Sequence, residues 1–361
     1  MSSVYAVPRA EKEALLLARL SELTEHHRAA CPAYGRVLDL IWDGAHGPFG
    51  SLEDVPWLPV QLFKTHELSS IASADVFKVL TSSGTTGAAR SRIVLDRDSA
   101  LAQTRTLAAI MSALLGSERR PMLIVDARET LRERRAMAAR AAGILGFQTF
   151  GRDHLYALDG EMALRREELV RWLASHSGEP LFVFGFTFMV WRHLLDALSP
   201  GEIDLSPAVL VHGGGWKQLQ AEAVGAERFR ERLREVTGLQ RVASFYGMVE
   251  QIGTVFLECE RGFLHAPAAA DVLIRDPSDW SVAPDGSSGV VQVLSALPTS
   301  YPGHSLLTED LGTVHGRDEC GCGWLGAAIS LHGRVPKAEL RGCSDTHAAT
   351  LPPSGALPEA A

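Results

Sequence analysis

A run of small hydroxyl residues and glycines, Ser82-Ser83-Gly84-Thr85-Thr86-Gly87, follows a strand-like apolar stretch at residues 76–80. Such residues leave backbone N–H groups free to surround a polyphosphate, and the trailing Arg90 and Arg92 add further donors. The run lacks the Gly-Lys-Ser/Thr end of a Walker loop and the spaced glycines of a dinucleotide-binding fingerprint. It predicts a phosphate-binding loop of another kind, with an ordinary surface turn as the alternative.

Three cysteines and one histidine have the composition of a metal site. Five residues separate Cys259 from His265, and a single glycine separates Cys320 from Cys322. A Cys₃His set is one of the donor sets of structural zinc sites. The sequence therefore predicts one zinc ion on these four side chains. Buried thiols beside a core histidine are the alternative, and the weaker substitute ligands are Cys31 and His315.

Three more motifs follow the loop in order, at residues 244–250 (Ser-Phe-Tyr-Gly-Met-Val-Glu), 307–312 (Leu-Thr-Glu-Asp-Leu-Gly) and 333–334 (Gly-Arg). Together with the loop they resemble the motifs of the adenylate-forming superfamily, which includes acyl-CoA synthetases and peptide-synthetase adenylation domains. Val249 departs from a threonine of the superfamily pattern, and Glu309 departs from a glycine.

This resemblance implies ATP as a substrate and a role for each motif. The ring of Tyr246, followed by Gly247, would flank adenine. Glu250 would hold Mg²⁺, an ion that prefers hard oxygen ligands. Asp310 would accept hydrogen bonds from both ribose hydroxyls, and Arg334 would act in nucleotide binding and catalysis.

A narrower resemblance rests on His212-Gly213-Gly214-Gly215-Trp216-Lys217, which follows an apolar strand at residues 208–211. Glycines let a backbone press against a flat ligand, which suits an adenine wall. With the doubled serine of the loop and the early C-terminus, this motif resembles the acyl-protein synthetases of bacterial bioluminescence fatty-acid reductase complexes, over about residues 56–344. Phenylacetate-CoA ligases are the next nearest relatives. A packed aromatic and a solvated lysine are the alternative for Trp216 and Lys217.

An aromatic run at residues 184–188 stands where relatives of this family line their carboxylate pocket. Phe184 and Phe186 share one side of a predicted strand, and we expect them to contact the substrate together with His212. Core packing is the alternative. Because this run contains neither arginine nor histidine, it favours an aliphatic acid.

Full-length relatives carry a mobile cap domain after the Gly-Arg pair, with a lysine that contacts the carboxylate. This chain continues only to residue 361, so we expect no cap, with Lys217, Lys337 or Arg341 in place of that lysine. The resemblance also implies a cysteine near the C-terminus that receives the acyl group, here Cys343. A thiolate is a good acyl acceptor, although a chance cysteine in a fraying tail is the alternative.

The predicted activity is that of an AMP-forming acid–thiol ligase. With ATP and Mg²⁺ it would convert a carboxylic acid, favoured to be a fatty acid, to an acyl adenylate. Cys343 would then take the acyl group and pass it to a partner, a reductase or an acyl carrier protein. One alternative is a ligase that transfers directly to CoA or a carrier-protein thiol. The other is a non-catalytic nucleotide-binding subunit, against which the intact Thr85, Glu250, Asp310 and Arg334 argue.

Short apolar stretches alternate with helical patterns up to about residue 258, which predicts an α/β fold with a doubly wound, mainly parallel sheet. Beyond residue 260 turns multiply and helical patterns end, which predicts a small antiparallel lobe. We expect a helical extension at 1–55, the α/β core at 56–258, the β lobe with the zinc and acyl-acceptor segments at 259–343, and a disordered tail at 344–361.

Composition excludes several classes of function. The 361 residues are 46% hydrophobic and carry a net charge of −8 without a basic stripe, which argues against a nucleic-acid partner. The arginines between 128 and 140 alternate with glutamates and predict a solvated helix face, with docking of an acidic carrier protein as the alternative. The N-terminus resembles neither a signal peptide nor a membrane anchor, so we expect a cytoplasmic protein without a membrane span.

Overall fold

The computed structural model describes residues 4–82, 90–131, 139–214 and 224–335. Its strands form one sheet of twelve and a separate two-stranded hairpin. In chain order the strands are β1 (Leu58–Pro59), β2 (Lys78–Thr81), β3 (Arg92–Leu95), β4 (Arg120–Ala127), β5 (Gly151–Leu158), β6 (Leu181–Phe186), β7 (Ala208–Gly213), β8 (Arg241–Tyr246), β9 (Phe256–Glu258), β10 (Leu264–His265), β11 (Ala270–Arg275), β12 (Ser288–Ser295), β13 (Ser305–Arg317) and β14 (Ala327–Arg334).

Eight α-helices cover the sheet or connect its strands. They are α1 (Arg9–Ala30), α2 (Pro32–Ile41), α3 (Leu62–Thr65), α4 (Arg97–Leu115), α5 (Ala139–Phe147), α6 (Arg166–Ser175), α7 (Thr187–Met189) and α8 (Ala226–Thr237) within the described ranges. A π-helical turn, Val190–Leu195, continues α7, and a 3₁₀ turn, Val249–Gln251, follows β8. Among these helices, none is both long enough and apolar enough to cross a bilayer.

Five strands, in the order β5-β4-β6-β7-β8, form the parallel half of the sheet. Their central segments are near-continuous apolar runs because layers on both faces exclude water. In β4, residues 122–125 are fully buried, and so are residues 208–211 in β7. This half confirms the predicted α/β core.

Beyond β8 the same sheet continues with antiparallel strands, in the order β9-β10-β14-β13-β12-β11. The antiparallel region predicted after residue 260 is thus present, and it extends the core sheet. The predicted N-terminal helix is confirmed as α1, whose Leu16 and Leu20 pack with Leu273 and Leu294. Hydrogen bonding runs without a break past residue 258, and the division of the chain into domains at that point stays a prediction.

The change from parallel to antiparallel pairing, between β8 and β9, marks the edge where a site is expected. In open α/β sheets, ligands bind beyond the carboxyl ends of parallel strands. Here β6, β7 and β8 end side by side, since Phe186, Gly213 and Phe245 occupy equivalent register positions. The motifs containing His212 and Tyr246 therefore meet at one edge.

Candidate nucleotide site and metal centre

Tyr246, Asp310 and Arg334 come from three separate motifs and lie together. The hydroxyl of Tyr246 donates a hydrogen bond to Oδ2 of Asp310 at 2.7 Å. The Nε of Arg334 lies 3.5 Å from Oδ1 of the same carboxylate, because Asp310 on β13 pairs directly with Arg334 on β14. Burial, and after it the negative charge of Asp310, raises the pKa of Tyr246 well above its usual value. The phenol therefore stays a hydrogen-bond donor across the physiological pH range.

Glu250 lies on the 3₁₀ turn after β8 and is only 6% exposed. Burial raises its pKa, while Ser91, Lys64 and Arg334 act in the opposite direction. Burial disfavours the charged form of a carboxylate, and a bound cation would stabilise that form. As a hard oxygen ligand beside the Asp310 cluster, Glu250 fits the predicted role of a Mg²⁺ ligand.

Two residues that the sequence did not single out, Gln251 and Gly303, position the Glu250 turn. The amide of Gln251 is 2% exposed and donates hydrogen bonds to the carbonyls of Val293 and Gly303, at 3.1 and 2.8 Å. A Cβ at Gly303 would lie 2.7 Å from the carbonyl oxygen of Glu250, closer than real Cβ contacts allow. The turn therefore sits against a backbone segment that only glycine can form without displacement.

The hairpin of β2 and β3 carries the predicted phosphate loop. Ser82 and Ser91 pair at the base of this loop. The Ser82 N–H donates to the Ser91 carbonyl at 3.1 Å, and the Ser91 N–H donates to Oγ of Ser82 at 2.9 Å. The loop residues Ser83, Gly84, Thr85, Thr86 and Gly87 lie outside the described residues. Arg92, expected to serve the loop as a cation, forms an ion pair with Glu67.

Lys64 and Gln61 were also missed by the sequence analysis, and both contact Glu309. The Nζ of Lys64 lies 3.3 Å from Oε2 of Glu309, and the amide of Gln61 donates to Oε1 at 2.6 Å. Glu309 is the residue that replaces a glycine of the superfamily pattern. Its side chain thus anchors a cation next to Asp310.

The glycine turn after β7 borders an aromatic cluster. Gly214 has a φ of +77°, a left-handed conformation that favours glycine, and a Cβ there would lie 3.1 Å from the ring of Phe186. A Cβ at Gly213 would overlap the ring of Phe245 at 2.6 Å. The next three residues of the motif, Gly215, Trp216 and Lys217, lie outside the described residues.

Phe184 and Phe186 point to the same face of β6, as predicted. Phe184 is fully buried and stacks on Phe147 with ring centroids 4.5 Å apart. Phe186 meets Phe184 edge-on at 5.8 Å and is 8% exposed. Phe184 therefore packs in the core, and Phe186 forms the part of the cluster nearest the glycine turn.

His212 lies on the opposite face of the sheet from both phenylalanines. In the parallel register it pairs with Gly185 and Ser244, whereas Phe186 pairs with Gly213. Its Nδ1 lies 2.9 Å from the hydroxyl of Thr187, and its ring packs on Phe229 of α8. Burial lowers the pKa of His212 to about 4, so the ring is neutral at physiological pH.

The structure brings the four predicted zinc ligands together. Donor atoms of Cys259, His265, Cys320 and Cys322 all lie within 4.8 Å of one another. The two substitutes lie elsewhere, since His315 bonds to Ser330 at 2.7 Å and Cys31 follows α1 in the core.

Two distances within this cluster match edges of a zinc tetrahedron. Zn–S bonds of about 2.3 Å and Zn–N bonds of about 2.0–2.1 Å place tetrahedral ligands roughly 3.8 Å (S to S) and 3.5 Å (S to N) apart. The Sγ atoms of Cys259 and Cys320 are 3.8 Å apart, and Sγ of Cys322 lies 3.5 Å from Nε2 of His265. The other ring nitrogen, Nδ1, faces the Leu325 carbonyl at 3.4 Å, an arrangement that directs Nε2 at a metal.

The raised pKa values of the thiols are consistent with a site that binds a metal cation. Burial, followed by the neighbouring thiols, raises the pKa of Cys320 to about 12, and burial raises that of Cys322. Without a positive charge these thiols stay protonated, and a bound metal displaces their protons. Cys343, Lys337 and Arg341 lie outside the described residues.

Solved structures with a similar fold include a CoA ligase. A 2-hydroxyisobutyryl-CoA ligase in an open conformation, in complex with 2-HIB-AMP and CoA, matches with a TM-score of 0.71 and 19% identity, over 92% of this chain and 77% of that one. The same ligase in the thioesterification state matches with a TM-score of 0.70 and 20% identity, over 92% and 70%. The fold is that of the adenylate-forming ligases, as predicted.

Sequence comparison identifies the family. The model of the family "Acyl-protein synthetase, LuxE" matches residues 5–351, so the chain belongs to that family. The long-chain-fatty-acid–luciferin-component ligase of Aliivibrio fischeri is 23% identical over 287 residues, which cover 73% of this chain and 70% of that protein. The protein of the same name from Vibrio harveyi is 28% identical over 138 residues, 37% of this chain and 35% of its own length. The predicted family and the predicted enzyme class, an AMP-forming acid–thiol ligase, are confirmed.

Proposed function

We propose that this protein activates a long-chain fatty acid with ATP to an acyl adenylate and transfers the acyl group to a thiol. The observation that carries the proposal is the contact of Tyr246, Asp310 and Arg334, residues from three motifs of the adenylate-forming superfamily. Membership of the acyl-protein synthetase family supports the reaction class, and the names of its relatives support the fatty-acid substrate.

Each group has a defined task in this proposal. Asp310 accepts hydrogen bonds from the ribose, since an ionised carboxylate has about four acceptor positions and Tyr246 uses one. The Tyr246 ring flanks adenine, with the turn of Gly213 and Gly214 opposite. Glu250 holds Mg²⁺, which when bound supplies a Lewis acid that neutralises phosphate charge.

Adenylation itself requires little proton transfer. A carboxylate oxygen of the acid forms a bond to the α-phosphorus, and the bond from that phosphorus to the pyrophosphate oxygen breaks. Because the attacking carboxylate is already ionised, catalysis rests on orientation and electrostatic stabilisation. The side chain of Arg334 is 75% exposed at the end of β14, so the phosphates of a bound nucleotide could reach it.

Of the predicted substrate contacts, Phe186 is the one we assign to the wall of the acyl pocket. It packs beside Gly214 at the carboxyl edge of the sheet, where the adenylate would form. Phe184 supports it from the core, and neutral His212 orients Thr187 on the other face.

As acyl acceptor we propose Cys343, nine residues after Arg334, followed by a partner-protein thiol. After incubation with labelled fatty acid, MgATP and protein, intact-mass measurement is expected to show one hydroxylamine-sensitive acyl adduct, absent from Cys343→Ser. If the variant carries the same adduct, the acceptor is another thiol. If only added CoA or a carrier protein is acylated, the direct-transfer ligase is the correct function.

We also propose that Cys259, His265, Cys320 and Cys322 hold one structural zinc ion. The two distances that match a zinc tetrahedron support it, and so does the histidine orientation. The cluster joins the turn after β9 to the turn before β14, so metal binding would stabilise the antiparallel half of the sheet.

Fatty-acid-dependent exchange of labelled pyrophosphate into ATP tests the proposed function. Wild-type protein with Mg²⁺ and fatty acids of graded length is expected to exchange, and release of ADP with orthophosphate instead would exclude the adenylate reaction. Glu250→Gln is expected to lower exchange at least about tenfold, because one charged metal ligand is lost. Glu22→Gln, at an exposed glutamate on α1 that pairs with Arg19, is the matched control and should exchange like the wild type.

A further inference from the structure

Lys64 is held at the edge of the candidate nucleotide site by structure on both sides of it. Upstream, β1 pairs in parallel with β13, and the Val60 N–H donates to the Leu307 carbonyl at 2.9 Å. Within α3, Phe63 is 1% exposed and meets the ring of Tyr301 edge-on at 6.0 Å. The position of Lys64 relative to Asp310 on β13 is therefore fixed by the fold.

The side chain of Lys64 contacts β13 beside the motif residue Asp310. Its Nζ lies 3.3 Å from Oε2 of Glu309, the neighbour of Asp310, and Gln61 from the same segment holds the other oxygen of that carboxylate. Although burial acts to raise it, the pKa of Glu309 is lowered by Gln61, Lys64 and Arg334. The Glu309 carboxylate therefore stays ionised and pairs with the ammonium group of Lys64.

Lys64 also lies near the phosphate-loop hairpin. The α3 segment packs against β3, the second strand of the phosphate-loop hairpin. With 34% of its side chain exposed, the ammonium group keeps access to a ligand.

We propose that Lys64 is a catalytic residue whose ammonium group contacts the triphosphate of ATP during adenylation, with Glu309 and Gln61 as its positioning residues. This inference rests on the proposed function. As the carboxylate oxygen bonds to the α-phosphorus, the bond to pyrophosphate breaks and pyrophosphate leaves with the electron pair. Lys64 stays protonated throughout and stabilises the charge on the phosphate oxygens.

The alternative is that Lys64 has a purely structural role, as an ion pair that connects α3 to β13, and exchange activity distinguishes the two roles. Wild-type exchange of pyrophosphate into ATP is measured first, because its absence would reject the proposed function and not the role of Lys64. Lys64→Met is then expected to lower exchange about 10- to 100-fold, the range for a charge that acts on the transition state. Lys64→Arg should restore a large part of that loss, since it keeps the charge.

Lys78→Met is the matched control, because Lys78 is an exposed lysine on β2, the first strand of the phosphate-loop hairpin. It is expected to exchange like the wild type. If Lys78→Met and Lys64→Met lost the same exchange activity, the loss would come from the change in net charge, and the assignment of Lys64 would be wrong. A folded Lys64→Met protein that exchanges within about twofold of the wild type would also overturn it. Glu309→Gln should raise the KM for ATP more than it lowers kcat, as expected for a residue that positions the cation.

A measurement on the unaltered protein covers the case in which Lys64→Met does not fold. Lysine acetylation with an N-hydroxysuccinimide ester is followed by peptide mass spectrometry, with and without saturating MgATP. Saturation is established separately by the rise in melting temperature. MgATP is expected to protect Lys64 and leave Lys78 unprotected. Equal labelling of Lys64 in both samples would contradict the contact.

Discussion

The hydroxyl of Tyr246 donates a 2.7 Å hydrogen bond to the carboxylate of Asp310, which lies 64 positions further along the chain. Tyr246 ends the last parallel strand, and Asp310 lies in the middle of the longest antiparallel strand. The bond therefore ties the two halves of the sheet together at the candidate nucleotide site. In the proposed function Tyr246 flanks adenine and Asp310 binds the ribose, so holding the two groups together would lower the entropy cost of nucleotide binding.

Tyr246→Phe is predicted to raise the KM for ATP about tenfold, with a smaller effect on kcat. The variant keeps the ring and loses a hydrogen bond to a charged group, a loss of about 1.5–3 kcal/mol that water partly replaces at the partly exposed carboxylate of Asp310. Initial-rate pyrophosphate exchange at varied ATP measures the effect.

Tyr156→Phe serves as its control, because that hydroxyl donates to Gln148 on the β5 edge, away from the candidate site. Its KM for ATP should equal that of the wild type. An unchanged KM in Tyr246→Phe would show that the hydrogen bond to Asp310 does not shape the nucleotide site.

Gly303→Ala is predicted to destabilise the protein by about 1–3 kcal/mol and to lower exchange, because the new Cβ overlaps the Glu250 carbonyl. Thermal unfolding and exchange at a temperature where the variant is folded measure the two effects. Gly146→Ala is the control, since its Cβ would lie 3.9 Å from Leu107 inside α5. It should melt at or above the wild-type temperature, because alanine favours a helix. Normal exchange by folded Gly303→Ala would show that the Glu250 turn tolerates displacement.

The sequence predicted the elements whose patterns are strong. Strand β7 contains the predicted apolar stretch 208–211, β2 overlaps the predicted stretch 76–80, and α1 lies within the predicted helical extension 1–55. Helix α4 was missed because its buried face includes Ser99 and Gln103, which weaken the apolar periodicity. Strand β5 was missed because its first half, at the sheet edge, exposes three consecutive polar residues at positions 152–154.

The candidate site divides in the same way. Tyr246, Glu250, Asp310 and the four metal-site residues are readable from motifs and spacing. Lys64, Gln251 and Gly303 are not, because each acts through a contact with a segment more than forty residues away. Glu309 was visible in the sequence only as a departure from a pattern, and its meaning required the position of Lys64.

Metal analysis of protein purified without chelators is predicted to find about one equivalent of zinc. Cys320→Ser should lose the metal and melt at a lower temperature, because metal binding contributes directly to the free energy of folding. Cys31→Ser, which removes a buried thiol outside the cluster, should keep its zinc even if it melts earlier. Wild-type protein that is free of metal and equally stable after chelation would contradict the zinc site.

A pair of buried histidines, His27 and His304, joins α1 to the segment before β13. Their rings stack with centroids 5.1 Å apart, and Nε2 of His304 lies 3.0 Å from the hydroxyl of Thr24 and 3.4 Å from that of Tyr34. Burial, then the positive charge of the neighbouring His26 and Arg19, lowers the pKa of His304 to about 3. Both rings are therefore neutral in the folded protein near pH 7, since burial also lowers the pKa of His27.

Acid is predicted to destabilise the fold through these histidines well before its carboxylates protonate. Below pH 6.5 the unfolded chain binds a proton at His304, whereas the folded protein does not until about pH 3, so stability falls as the pH falls through this window. Each such histidine contributes up to about 1.4 kcal/mol per pH unit. Chemical unfolding of His304→Gln between pH 7 and 4.5 should show a shallower pH dependence than the wild type, even if the variant is less stable at pH 7. His66→Gln, at an exposed position, is the control and should show the wild-type dependence of unfolding free energy on pH. If His304→Gln also showed the wild-type dependence, the acid sensitivity would come from other groups.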